Sequence, residues 1–153
     1  MEAEIFVDYC VDGNRVLYAV GSKEKVGRIV AVDLEKGSVI RDKTYDPAKE
    51  FCSIVISPDN KYLLAGNRDG KLYKVSTETG EIIDEIQILE KGETRQVFND
   101  YSVLNLAFSP DGQYYAATII PKAYLLTTNS NRVIHSCAPA NKLVSKIAFS
   151  PDN

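Results

Sequence analysis

The stretch Leu106-Ala-Phe-Ser-Pro-Asp-Gly-Gln-Tyr-Tyr-Ala-Ala117 holds an apolar run, a Ser-Pro-Asp-Gly turn and a second apolar run. Nearly the same phrase stands at Ile54-Val-Ile-Ser-Pro-Asp-Asn-Lys-Tyr-Leu-Leu-Ala65, and its first half returns as Ile147-Ala-Phe-Ser-Pro-Asp-Asn153. Proline at the second turn position presets φ for a type I turn, and aspartate suits the third. The fourth is Gly or Asn, the residues that enter the left-handed region at least cost. A type I turn followed by a left-handed residue joins two antiparallel strands tightly. Each phrase therefore reads as strand, turn, strand.

Aligned on these turns, the copies start at Ser57, Ser109 and Ser150, with a weaker one at Cys10-Val11-Asp12-Gly13; the steps between starts are 47, 52 and 41 residues. A period in the forties marks a stacked repeat unit. Before each turn the strand is apolar on both faces, as in Ile54-Val55-Ile56 and Leu106-Ala107-Phe108, which describes a strand covered on both sides. A third strand follows in each copy (Arg28–Asp33, Lys71–Ser76, Lys122–Thr127) and ends in a polar turn, LEKG, TETG or TNSN. The fourth strands, Ser38–Asp42, Glu81–Glu85 and Arg132–Ser136, are the most polar, as an edge strand must be to avoid pairing with other chains.

The segment Asp69-Gly-Lys-Leu-Tyr-Lys-Val-Ser-Thr-Glu-Thr-Gly80, and its repeat over Gly27–Gly37 with Val32-Asp33 in the Trp-Asp position, resemble the WD-repeat β-propeller family. The copies are degenerate: Val75-Ser76 and Leu126-Thr127 depart from Trp-Asp, and the family's Gly-His pair is missing. The resemblance implies an all-β fold of four-stranded antiparallel blades, about 4–43, 51–88 and 103–137, with 144–149 as the first strand of a further blade. Propellers close with about four to eight blades. The expectation is therefore a partial propeller, completed by further blades of a longer protein or by another copy of the chain.

Composition limits the functions. At 153 residues, 44% hydrophobic and 25% charged, the chain is of ordinary globular make-up. A formal charge of -3 supplies no basic stripe for nucleic acid. The acidic start MEAEIF and the short apolar runs suggest neither a secretory leader nor a membrane span. Three widely spaced cysteines point to a reduced, cytoplasmic setting.

Sites of chemistry are sparse. His135 falls under Arg41 and Asp84 in the aligned fourth strands, a solvent-facing position. His135 and Cys137 do not by themselves make a zinc site. No histidine base stands near Cys10 or Cys52 in sequence. The loop Gly21-Ser-Lys-Glu-Lys-Val-Gly27 breaks the phosphate-loop pattern at its last position. Asp8 falls near the central channel, where it could meet a ligand or ion; a solvated channel-lining residue is the plainer reading. No catalytic group, cofactor or metal is expected.

One irregularity invites a functional reading. The link Leu89–Ser102 is longer than its counterparts and carries Arg95, Phe98 and Tyr101. Arginine and aromatic side chains dominate binding energy at interfaces. By strand order this loop shares a rim with Asn67–Asp69, so Arg68, Arg95, Phe98 and Tyr101 form a candidate partner-binding rim. A competing reading has Val97, Phe98 and Tyr101 begin the next strand or pack over the blade edge. The WD-repeat resemblance implies a non-catalytic scaffold for protein or peptide partners. The rivals are part of a lactonase- or quinoprotein-type enzyme, and a chain that acts by closing a ring with its own copies.

Overall fold

The computed structural model describes residues 5–23, 26–46, 49–88, 102–119, 121–138, 144 and 146–152. It is all-β, with three four-stranded antiparallel sheets. The first holds β1 (Ile5–Val11), β2 (Val16–Lys23), β3 (Val26–Asp33) and β4 (Ser38–Thr44). The second holds β5 (Phe51–Ile56), β6 (Tyr62–Asn67), β7 (Lys71–Ser76) and β8 (Ile82–Gln87), and the third β9 (Val103–Phe108), β10 (Tyr114–Ile119), β11 (Lys122–Thr127) and β12 (Val133–Cys137). Each sheet is a simple meander, and the first strands sit side by side: β1 packs on β5, and β5 on β9. That is the arrangement of propeller blades around an axis.

The turns follow their chemistry. Asn60 (φ 59°) and Gly112 (φ 70°) adopt the left-handed conformation, and their N–H groups donate to the Ser57 and Ser109 carbonyls at 2.8 and 2.9 Å. Within each turn the serine hydroxyl donates to the aspartate carboxylate and accepts from the N–H of Tyr62 or Tyr114. The third-to-fourth strand turns also close as expected, on Gly37, Gly80 and Asn131 at φ 64°, 71° and 53°.

The first blade departs from the expected register. Its turn is not Cys10–Gly13 but Asp12–Arg15: the Arg15 N–H donates to the Asp12 carbonyl at 3.2 Å, and Arg15 holds the left-handed φ of 61°. Asp12 Oδ1 accepts from the Val16 N–H at 2.8 Å, the task of the serine hydroxyl in the other blades. β1 accordingly runs to Val11, past the expected end at residue 9.

Two apolar cores lie between the sheets. Tyr18, Val20, Ile29 and Ala31 of the first interlock with Ile54, Leu63, Ala65, Tyr73 and Val75 of the second. Leu64, Leu72 and Ile86 of the second meet Leu106, Tyr115, Ala117, Tyr124 and Leu126 of the third. Burial of each large side chain contributes about 1.5–3 kcal/mol, so these two interfaces hold the sheets together. With the turns superimposed, Tyr9 takes the place of Ile54 and Leu106. Those two are 4% and 7% exposed, whereas Tyr9 is 67% exposed. The blade-packing face of the first sheet is uncovered, and Val11 at 43% shares it.

The outer strands β4, β8 and β12 are mostly exposed, as expected. Each carries a register shift at one equivalent point, which leaves Ile40, Ile83 and Ile134 unpaired and exposed. Such bulges interrupt an edge and discourage strand addition. Among the described residues, 146–149 pair with no strand; the Ile147 N–H donates to Asn105 Oδ1 at 3.0 Å.

Candidate partner-binding rim

Of the four residues expected on the binding rim, Arg68 is described; Arg95, Phe98 and Tyr101 lie outside the described residues. Arg68 sits in the β6–β7 turn, held from beneath by Asn67. The buried Asn67 amide oxygen accepts from the Asp69 N–H at 3.0 Å and the Lys71 N–H at 2.9 Å, and Gly70 turns the chain with φ 77°. The loop therefore presents Arg68 outward from a fixed base. Its guanidinium meets Glu50 at 3.1 Å, with side chains 63% and 28% exposed. An ion pair this wet contributes little stability and can be exchanged for a partner's carboxylate at small cost. Beside it Lys49 lies 5.7 Å from the Tyr73 ring centroid.

Asp8 is placed differently from its expected setting. It matches Ser53 and Asn105, not Val55 and Ala107, because the first turn starts two residues later. Asp8 Oδ2 accepts from the Ile54 N–H at 2.8 Å, across the gap between β1 and β5. Ser53 Oγ donates to the Val103 carbonyl in the same sense between β5 and β9, and Asn105 accepts from Ile147. A bulge directly before each of the three residues aims its side chain at the next inner strand. The signal was legible in retrospect: a polar residue four positions before each turn, inside an otherwise apolar strand.

A second set of bridges joins the first two blades at their periphery. Arg41 donates to the carbonyls of Thr77 and Glu78, Lys43 pairs with Glu81, and the Tyr45 hydroxyl donates to Gly80 O at 2.8 Å. Burial pushes the Tyr45 hydroxyl up to about 12, with the Glu81 charge adding to the shift, so it stays a neutral donor at physiological pH. In the second blade Asp84 holds the position of Arg41 and accepts from the Asn131 amide at 3.3 Å. His135 occupies the same position in the third blade, opposite Leu125, and is exposed as expected.

The Cys10 thiol is not activated. Cys10 is pushed up to about 12, by burial first and then by the charges of Asp8 and Asp12. Cys52 donates to the Val103 carbonyl at 3.2 Å, and Cys137 is exposed. Among the described residues no three His, Cys, Asp or Glu side chains converge as metal ligands, and no helix is long and apolar enough to cross a membrane.

The geometry of stacked meanders and repeated turns agrees with comparison to known proteins. Residues 43–73 match the WD domain, G-beta repeat. That span covers the last two residues of β4, all of β5 and β6, and the start of β7. Over nearly its whole length the chain is similar to eukaryotic translation initiation factor 3 subunit I. The identity is 23% to the protein of Emericella nidulans and 25% to that of Coccidioides immitis, over 95% and 96% of this chain. The chain spans 43% and 42% of those two relatives. Among solved structures, Kuenenia stuttgartiensis hydrazine synthase superimposes with a TM-score of 0.66 at 19% identity, over 87% of this chain and 37% of that one. At that identity the likeness speaks for a shared fold alone.

Proposed function

We propose that this chain is part of a WD-repeat propeller that acts as a non-catalytic, intracellular scaffold, holding protein or peptide partners on its rim. Three blades and the opening strand of a fourth, over 144–149, make up its share of the ring. The observation that carries the reading is the chain-long similarity to a subunit of a translation initiation factor, joined to the WD-repeat match at residues 43–73. The uncovered Tyr9 face supports the incomplete ring, since its counterparts in the next two blades are buried. Arg68, with Arg95, Phe98 and Tyr101 of the long link, is the proposed contact patch.

The test is affinity capture from a native lysate with the complete protein, wild type against the combined Arg68→Ala, Arg95→Ala, Phe98→Ala and Tyr101→Ala variant. Loss of specific partners from a variant with unchanged circular dichroism supports the patch. An unchanged partner set removes it. Sedimentation velocity separates the ring-closing reading: a homogeneous small oligomer of this chain alone would favour self-assembly over a scaffold completed by further blades.

A further inference from the structure

One position in the outer strand recurs as a joint between sheets. Arg41 stands opposite Ala31, Asp84 opposite Lys74 and His135 opposite Leu125, each beside the register shift of its strand. Arg41 reaches forward to the Thr77 and Glu78 carbonyls, and Asp84 to the Asn131 amide at 3.3 Å. Both targets lie in the third-to-fourth-strand turn of the succeeding blade. His135 is the third of the set.

The neighbours of His135 belong to a joint that is not yet closed. Two positions further on, Lys43 pairs with Glu81 of the second blade, and Ile86 is buried in the core shared with the third. Cys137 holds that place in the third blade and is exposed. Inward on the same face, Ile29 and Ala31 of the first sheet are buried against the second. Ala123 and Leu125 stand in their places and are only half-buried. The succeeding strand is nonetheless seated. Ile147 N–H donates to Asn105 Oδ1 at 3.0 Å, as Ile54 N–H donates to Asp8 Oδ2 at 2.8 Å. Residues 146–149 therefore follow β9 in the sense in which β5 follows β1.

We propose, resting on the incomplete ring inferred above, that His135 clasps the third blade to the blade that 144–149 opens. Its imidazole N–H donates to a main-chain carbonyl in the third-to-fourth-strand turn of that blade, as the Arg41 guanidinium does one joint earlier. The same blade covers Ala123, Leu125 and Cys137. A neutral imidazole always carries one N–H donor, and every turn offers carbonyls whatever its side chains. Cysteine suits the covered position, because a free thiol is buried as a small hydrophobe.

The experiment labels the purified full-length protein with N-ethylmaleimide, in buffer and in urea, and reads Cys137 by peptide mass spectrometry. Cys137 of the native protein should react at least about tenfold more slowly than in the unfolded one. His135→Ala should speed its native labelling at least about threefold with circular dichroism unchanged. His135→Arg, which installs the donor of the first joint, should restore most of the protection. Arg41→Ala, two joints away, should leave the Cys137 rate as it was. A native Cys137 as reactive as the unfolded one overturns the proposal together with the incomplete ring. A protected Cys137 that reacts no faster in His135→Ala overturns the clasp and leaves the ring standing. Protection that fades on dilution assigns the cover to a second copy of the chain and overturns the proposal as well.

Discussion

Gly66 in β6 marks a close approach of the second and third blades, and a single methyl group there tests the packing. A Cβ at this position would stand 2.5 Å from Val103 Cβ, 2.6 Å from its Cγ1 and 2.5 Å from Ser53 Oγ. Carbon atoms in contact rest at about 3.5–4.0 Å, so Gly66→Ala needs roughly 1 Å of separation. The serine hydroxyl can rotate away at the cost of its bond to Val103 O. Val103 cannot yield: it is fully buried and its χ1 is stiff. The blades must part, and the Leu64, Leu72, Leu106 and Tyr115 contacts loosen with them. Overpacking of this kind costs about 1–3 kcal/mol. Urea unfolding followed by tyrosine fluorescence and circular dichroism measures it, since the chain has no tryptophan. Val103→Ala alone should also destabilise, by about 1–3 kcal/mol, through the cavity it leaves. Combined with Gly66→Ala it should recover at least about 1 kcal/mol relative to the sum, because the added methyl fills that space. Additive effects, or a Gly66→Ala protein as stable as wild type, would refute the close approach.

Three further outcomes follow from the geometry. Arg15→Gly should raise stability by about 0.5–1 kcal/mol, because it relieves a left-handed φ in a side chain whose ion pair with Glu35 is 73% and 64% exposed. A loss of stability in the urea midpoint would return the turn to Cys10–Gly13. Asp8→Ala should cost about 1–2 kcal/mol and speed hydrogen exchange at the Ile54 amide, while Asp8→Asn keeps most of the protection; equal protection in the alanine variant rules out the bridge. The Ser57 hydroxyl, followed by the Lys61 backbone and charge, holds Asp59 below its ordinary 3.8. Its contribution is therefore present above about pH 4 and fades as pH falls through the lower folded-state value. Asp59→Asn should be less stable than wild type at pH 6 and converge with it near pH 2; a constant gap across that range would show that the carboxylate charge is not involved.

Most of the architecture was legible because turn chemistry and strand patterning agree in this chain. Ser57-Pro58-Asp59-Asn60 and Ser109-Pro110-Asp111-Gly112 fix two hairpins locally, and β6 between them is apolar and buried on both faces from Leu63 on. The first hairpin misled because Cys10-Val11-Asp12-Gly13 imitates the motif without its proline. Nothing preset φ at Val11, and the Asp12 carboxylate could cap a turn one residue shorter. That slip also misplaced Asp8, whose role appears only when β5 is brought alongside β1. The clasp of Arg41, Lys43 and Tyr45 on Thr77–Glu81 was hidden for the same reason: it joins residues 35–38 positions apart, and Arg41 and Tyr45 bind main-chain carbonyls, which leave no mark in sequence. Of the expected rim, the Asn67–Gly70 turn signalled a fixed loop for Arg68, whereas the long link falls outside the described residues.

The bridges from Asp8, Ser53 and Asn105 all run forward, from a side chain of one inner strand to the main chain of its successor. The receiving residue needs no particular identity, since every peptide unit offers the same groups. A unit that keeps its own polar residue can therefore follow any other, and tandem duplication or exchange of whole repeats would leave these joints intact. Descent by copying, with each repeat then free to drift in its loops, is built into the way the chain is joined.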